Sequence, residues 1–259
     1  MLKTKIEWCD TTWNPVTGCR HGCEYCYARK IAERFGGASH TDYLNCYSIT
    51  MPNGKNHVLE KPIVDVDRDR KAPYPFDFDP TFHKYKLDEL VNKKGRTVFV
   101  CSMADLFGEW VPDAWILEIF EACKHAPQHT YLFLTKNPAR YLKLAERGLL
   151  PRDKNMWYGS TATTPDVPVF FSQGVNTFLS VEPILTDFGE GNIPVDWVII
   201  GAETGRQAGK VVPEKSWIDN ICQKADVAGV PVYMKDSLLS IMGEENMRQE
   251  FPWHIKPTK

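Results

Sequence analysis

The sequence predicts an α/β protein whose core is a partial (β/α) barrel of about six parallel strands. From residue 97 onward, short β-branched and aromatic runs alternate with longer segments of helical character, the pattern of successive βα units. Polar and charged residues follow directly on every one of these runs. A chain of 259 residues, 43% of them hydrophobic, is also the right size for one α/β domain with a full core. A single domain over 1–259 is therefore expected.

Taken in order, the chain first shows a cysteine-rich segment followed by a helix. Between Gly36 and Gly95 the rhythm breaks at Pro52, Pro62, Pro73, Pro75 and Pro80. Residues 36–95 thus read as an irregular insertion after the first helix, with the mixed charges of Asp65 to Lys71 as a solvated loop. The predicted strands are Thr97 to Cys101, Tyr131 to Leu134, Met156 to Gly159, Thr177 to Leu179, Trp197 to Ile200 and Pro231 to Met234. Pro112 to Ala126 and Glu214 to Ala228 are the clearest helices; in the first, Trp115, Ile116, Ile119, Phe120 and Cys123 recur at helical spacing and should face the sheet.

The residues after the strands carry the functional signal. They are Ser102 to Asp105, Thr135 to Asn137, Ser160-Thr161, Ser180 to Glu182, Gly201 to Thr204 and Lys235-Asp236. In βα barrels the loops at the carboxyl ends of the strands converge on one axis, and sites are built there. Loops are polar everywhere, so one such cluster means little, but six in succession point to a functional rim. Net charge is −2, which gives no global positive field to hold a nucleic-acid backbone; any such contact must be local. No stretch of about 18 apolar residues occurs and the N-terminal residues form no apolar export segment, so a cytoplasmic protein without a membrane partner is expected. Oligomeric state is left open.

Of eight cysteines, three crowd into Cys19-Arg20-His21-Gly22-Cys23-Glu24-Tyr25-Cys26. Clustered thiolates are soft ligands suited to iron–sulfur clusters or zinc. A structural zinc site normally closes with four ligands, and the second pair is missing here, although Cys9 or His21 offers a fourth. Three ligands on a four-iron cluster instead leave one iron open to a substrate.

The triplet resembles the CxxxCxΦC motif of the radical S-adenosylmethionine superfamily, with Tyr25 in the aromatic position and Tyr27 just after it. The resemblance implies a barrel of the radical SAM type and a [4Fe-4S] cluster on Cys19, Cys23 and Cys26. It also implies S-adenosylmethionine chelated at the open iron and cleaved reductively to a 5′-deoxyadenosyl radical. A reducing partner such as flavodoxin or ferredoxin is implied as well. Further blocks, including Trp13 to Cys19, Ser102 to Phe107, Leu134 to Lys136, Ser180 to Pro183 and Trp197 to Gly205, are similar to those of the phage-associated three-cysteine-motif family. That family implies the chemistry class and leaves the reaction open.

A second similarity is to spore photoproduct lyase: a Tyr on each side of the third cluster cysteine, Ser and Asp after the second strand, Thr-Lys after the third. It implies that Ser102, Lys136 and Ser160 bind the carboxylate and ribose of S-adenosylmethionine, and that the substrate is a nucleic acid or nucleotide. It further implies that Cys101, assisted by Tyr25 and Tyr27, returns hydrogen to a product radical. A buried cysteine that only packs is the competing reading. Asp105, Glu182 and Glu203 are carboxylates at strand ends and candidate cofactor ligands; Asp105 is equally suited to cap the turn before Leu106 and Phe107. Lys235 and Asp236 are expected to pair with each other. Two other functions fit the same residues: radical modification of a peptide or partner protein, with 36–95 as the recognition surface, or a non-catalytic iron–sulfur or zinc scaffold.

Overall fold

The computed structural model describes residues 4–37, 46–65, 69–205, 208–253, 255 and 257. The chain runs β1 (Thr11–Trp13), β2 (Val16–Thr17), α1 (Tyr27–Phe35), β3 (Cys46–Met51), β4 (Gly54–Leu59), β5 (Val64–Asp65), β6 (Arg70–Lys71) and β7 (Thr81–His83). It continues with β8 (Thr97–Val100), α2 (Asp113–His125), β9 (Thr130–Thr135), α3 (Ala139–Glu146), β10 (Met156–Thr161), β11 (Asn176–Val181), β12 (Val198–Ile200), α4 (Lys215–Ala228), β13 (Val232–Met234) and a short α5 (Leu239–Met242).

Seven strands form one parallel half-barrel in the order β1-β8-β9-β10-β11-β12-β13. The six predicted strands are all present, and β1 is an addition. Its three residues sit in a segment too short and mixed to show a period, and they become a strand only by pairing with Val98 to Val100 of β8. The pleat sends alternate side chains to opposite faces. Val98, Val100, Tyr131, Phe133, Met156 and Tyr158 point outward, where they pack with Trp115, Ile116, Ile119, Phe120 and Cys123 of α2 and with Tyr141 and Leu144 of α3. Leu179, Val181, Val198, Ile200, Val232 and Met234 meet α4 in the same way through Ile218, Ile221, Cys222 and Ala225. The inward set, Phe99, Leu132, Trp157, Phe178, Ile199 and Tyr233, closes around Trp8, Cys9 and Trp197.

The 36–95 insertion is more regular than its sequence suggests. β3 and β4 form an antiparallel hairpin, β4 runs parallel to β7, and β7 pairs with β2, giving a four-stranded sheet. Pro52 lies in the hairpin turn and Pro62, Pro73, Pro75 and Pro80 lie between strands, where no ladder donor is needed, so they hide the strands without preventing them. The charged run is likewise no simple loop: Val64–Asp65 pairs with Arg70–Lys71 and Asp65 is buried, while residues 66–68 of the run and 38–45 of the insertion lie outside the described residues. Among the described residues no helix is long and apolar enough to cross a membrane.

Candidate functional site

The carboxyl ends of the parallel strands converge on a cavity of about 280 Å³, near the lower end of the roughly 300–1,000 Å³ usual for small-molecule sites. Its lining follows the strand order. Ser102 and Asp105 come from the end of β8, Thr135 and Lys136 from β9, Thr161 from β10, Ser180 and Glu182 from β11, Glu203 from β12 and Lys235 from β13. The segment between β2 and α1 completes the cavity with Cys19, His21, Cys23, Tyr25, Cys26 and Tyr27. The three clustered cysteines therefore reach one cavity together, while Cys9 is wholly buried in the inner core and Cys46, Cys123 and Cys222 do not line it.

The cysteine segment is held by local chemistry. Gly18 enters it with φ +87°, and a Cβ there would lie 2.3 Å from the Asp79 carbonyl oxygen, so this turn accepts only glycine. The Gly18 amide donates to Met103 O at 3.0 Å and the Cys19 amide to Phe78 O at 3.3 Å, which ties the segment to both the rim and the insertion. Cys26 caps α1: its sulfur accepts the Arg29 amide at 3.4 Å at the helix N-terminus. Arg29 also donates to Cys19 O at 3.2 Å, and Arg20 donates to Lys55 O at 2.6 Å. Burial pushes the Cys19 thiol up to about 12, so a metal would have to displace its proton.

Asp105 is fixed by four hydrogen bonds. Its Oδ1 accepts from the Phe107 amide at 3.0 Å and Thr135 Oγ1 at 2.7 Å; its Oδ2 accepts from the Lys136 amide at 2.9 Å and His21 Nε2 at 2.7 Å. The bond to Phe107 is the local turn that the capping reading anticipates. A carboxylate offers about four lone-pair sites, and at Asp105 four protein donors occupy them while the residue lines the cavity.

Lys136 keeps its place at the cavity, with its ammonium 5.4 Å from the centre of the Tyr25 ring. Burial and then the neighbouring Cys23 push the Tyr25 phenol up to about 12. Tyr27 leaves half its surface exposed and donates its hydroxyl to Ser102 O at 2.6 Å. The Ser102 hydroxyl donates to Asn14 Oδ1 at 3.2 Å, and the same oxygen accepts the Met103 amide at 3.0 Å. Asn14 is thus a rim-shaping residue that the sequence reading did not single out.

Farther along the rim, Glu182 Oε1 pairs with Lys235 Nζ at 2.6 Å and Glu182 Oε2 accepts from Ser180 Oγ at 3.0 Å. Lys235 therefore pairs with Glu182 and not with Asp236, whose carboxylate instead accepts from Gln249 Nε2 at 3.2 Å. Burial alone would lower the Lys235 ammonium, but the Glu182 carboxylate outweighs it and Lys235 lies above its ordinary value. Gly201 makes room for the pair: a Cβ there would lie 3.0 Å from Lys235 Cδ and 3.1 Å from Glu182 Oε1. Glu203 also faces the cavity, with no hydrogen bond or ion pair among the described residues.

Two expected site residues are elsewhere. Ser160 is fully buried and its hydroxyl accepts the Phe170 amide at 2.9 Å. β10 extends to Thr161, so the pleat still governs position 160 and turns it outward, leaving Thr161 to face the cavity. Cys101 is 2% exposed and belongs to the outer core, with its thiol raised to about 12 by burial. A φ of +58° at this residue ends the alternation that would have set it beside Phe99, and the side chain packs in the outer core instead of lining the cavity.

The donor set can be weighed against the cofactor the sequence implies. Three free thiols share one cavity wall, two of them already near backbone amide donors, and no fourth cysteine lines the cavity. His21, the other candidate fourth ligand, has its Nε2 engaged by Asp105. Among the described residues no three His, Cys, Asp or Glu side chains are gathered around one point suited to a single metal ion.

Fold and site together define a mixed α/β protein with a parallel half-barrel and a three-thiol cavity at its carboxyl rim. The chain belongs to a family described as protein of unknown function (DUF5131), whose family model matches residues 3–244. No curated protein and no solved structure matches it.

Proposed function

We propose that the protein is a radical S-adenosylmethionine enzyme of the radical SAM barrel type, holding a [4Fe-4S] cluster on Cys19, Cys23 and Cys26. The observation that carries this reading is the meeting of three thiols, with no fourth, in the cavity where the parallel strands end. When bound, such a cluster would supply the electron that cleaves the sulfonium of S-adenosylmethionine to methionine and a 5′-deoxyadenosyl radical.

The chain's own residues would bind and orient. Lys136 would pair with the methionyl carboxylate, Ser102 would present its hydroxyl at the same end of the rim, and Glu203 would accept from the ammonium or ribose hydroxyls. Glu182 and Lys235, already paired, would shape the other end of the cavity. Tyr25 and Tyr27, with phenols raised by burial, stay protonated near neutrality and act as hydrogen-bond donors.

The substrate attached to this reading is a nucleic acid or nucleotide, which rests on the similarity to the photoproduct lyase. An acidic reducing protein such as flavodoxin or ferredoxin would deliver the electron, in the cytoplasm. The test is anaerobic reconstitution followed by iron and sulfide analysis and by reductive formation of 5′-deoxyadenosine, with and without DNA, RNA and nucleotides. About four irons and four sulfides per chain with 5′-deoxyadenosine formed would support the reading; a colourless zinc protein would end it.

A further inference from the structure

We propose that Asp105 is a positioning residue for the cysteine segment: through His21 it holds Cys19 and Cys23 in place before any iron binds. The two partners are 84 residues apart in sequence and meet at 2.7 Å. Asp105 is 6% exposed, and its other three hydrogen bonds come from Phe107, Thr135 and Lys136 at the ends of two neighbouring strands. Its carboxylate therefore has one orientation, set by the barrel. The fourth bond extends that rigidity into a segment with no regular secondary structure of its own.

His21 sits midway between Cys19 and Cys23. Its ring meets the Trp110 ring edge-on, with centroids 4.9 Å apart, which leaves it little room to swing away from Asp105. The next residue, Gly22, has φ +70° and nothing within 4 Å of where a Cβ would lie, so packing does not hold the backbone there. Arg20 and Arg29 anchor the segment to Lys55 and at the Cys19 carbonyl, but neither reaches the barrel. Supporting groups of this kind orient ligands that would otherwise have to be ordered by the metal itself.

The inference rests on the proposed function only for the identity of the group that the thiols would hold. Its test uses the full chain freed of iron by a chelator, with the alkylation rates of Cys19, Cys23 and Cys46 followed by peptide mass spectrometry. In His21→Ala, labelling of Cys19 and Cys23 should rise about tenfold, equivalent to about 1.4 kcal/mol, while Cys46 in the β3–β4 hairpin keeps its rate. His21→Gln, which restores an N–H donor to the same carboxylate, should return labelling to within about twofold of the parent. His21→Leu keeps the apolar contact with Trp110 without the donor and reads the same quantity if the alanine variant folds poorly. Unchanged labelling in both the Ala and Leu variants, or an equal rise at Cys46, would overturn the tether. Iron and sulfide content of the parent chain tests the cluster separately, so either idea can fail alone.

Discussion

At the scale of single residues, the same amino-acid type has unlike surroundings depending on where the fold places it. Cys19, Cys23 and Cys26 line the cavity, and changing any one of them to Ala should abolish cluster binding, read as iron per chain after reconstitution. Cys9, Cys46, Cys123 and Cys222 should each be replaceable without loss of iron, because none lines the cavity. Cys101 is packed in the outer core. Cys101→Ala should lose about 1 kcal/mol of stability, the cost of removing one buried group of methyl size, measured by urea unfolding, and under the proposed function should leave S-adenosylmethionine cleavage unchanged. The two serines and the lysine of the photoproduct-lyase similarity separate in the same way. Lys136→Ala should weaken S-adenosylmethionine binding while iron content stays intact. Ser160→Ala should leave binding unchanged and cost about 1–3 kcal/mol, because the buried Phe170 amide loses its acceptor.

At the scale of elements, the small sheet built from β2 and the insertion braces the cysteine segment, and two histidines are buried in it. His83 is fully buried and lies 2.9 Å from Thr17 Oγ1 through Nε2 and 3.2 Å from Tyr85 OH through Nδ1. Burial holds His83 well below its ordinary value of 6.5 and, less strongly, lowers His57 as well. A group whose folded value lies below its unfolded value contributes stability that is fully present above 6.5 and is lost as pH falls beneath it. The protein should therefore weaken from pH 6.5 downward by up to about 1.4 kcal/mol per pH unit for each such histidine. In His83→Gln the slope of the urea midpoint against pH should be shallower, and an unchanged slope would place the titration elsewhere. The prolines between these strands explain why the sheet was hidden in the sequence: they mark the turns strongly, while strands of two to six residues show too few periods to be read.

At the scale of the whole molecule, seven parallel strands curve around an inner core that the N-terminal segment completes. Trp8 is 2% exposed and its ring lies 4.7 Å from that of Phe99 and 6.3 Å from that of Phe178. Trp8→Ala should cost about 3–5 kcal/mol, a loss visible in denaturant unfolding, and should impair S-adenosylmethionine binding because Trp8 also forms part of the cavity wall. The sequence by itself determined the parallel α/β architecture, since strand and helix periods are local and repeat through β8 to β13. It also determined which thiols lie together, since Cys19, Cys23 and Cys26 are neighbours along the chain and no refolding of the rest can separate them far. Only the tertiary structure decided that Asp105 serves His21, that Lys235 serves Glu182, and that Ser160 and Cys101 turn away from the cavity. Those outcomes depend on two more residues of strand at β10, on a left-handed residue after β8 and on pairings between residues tens of positions apart. Such features are fixed by packing and hydrogen bonding across the sheet, and no local pattern of residue types encodes them.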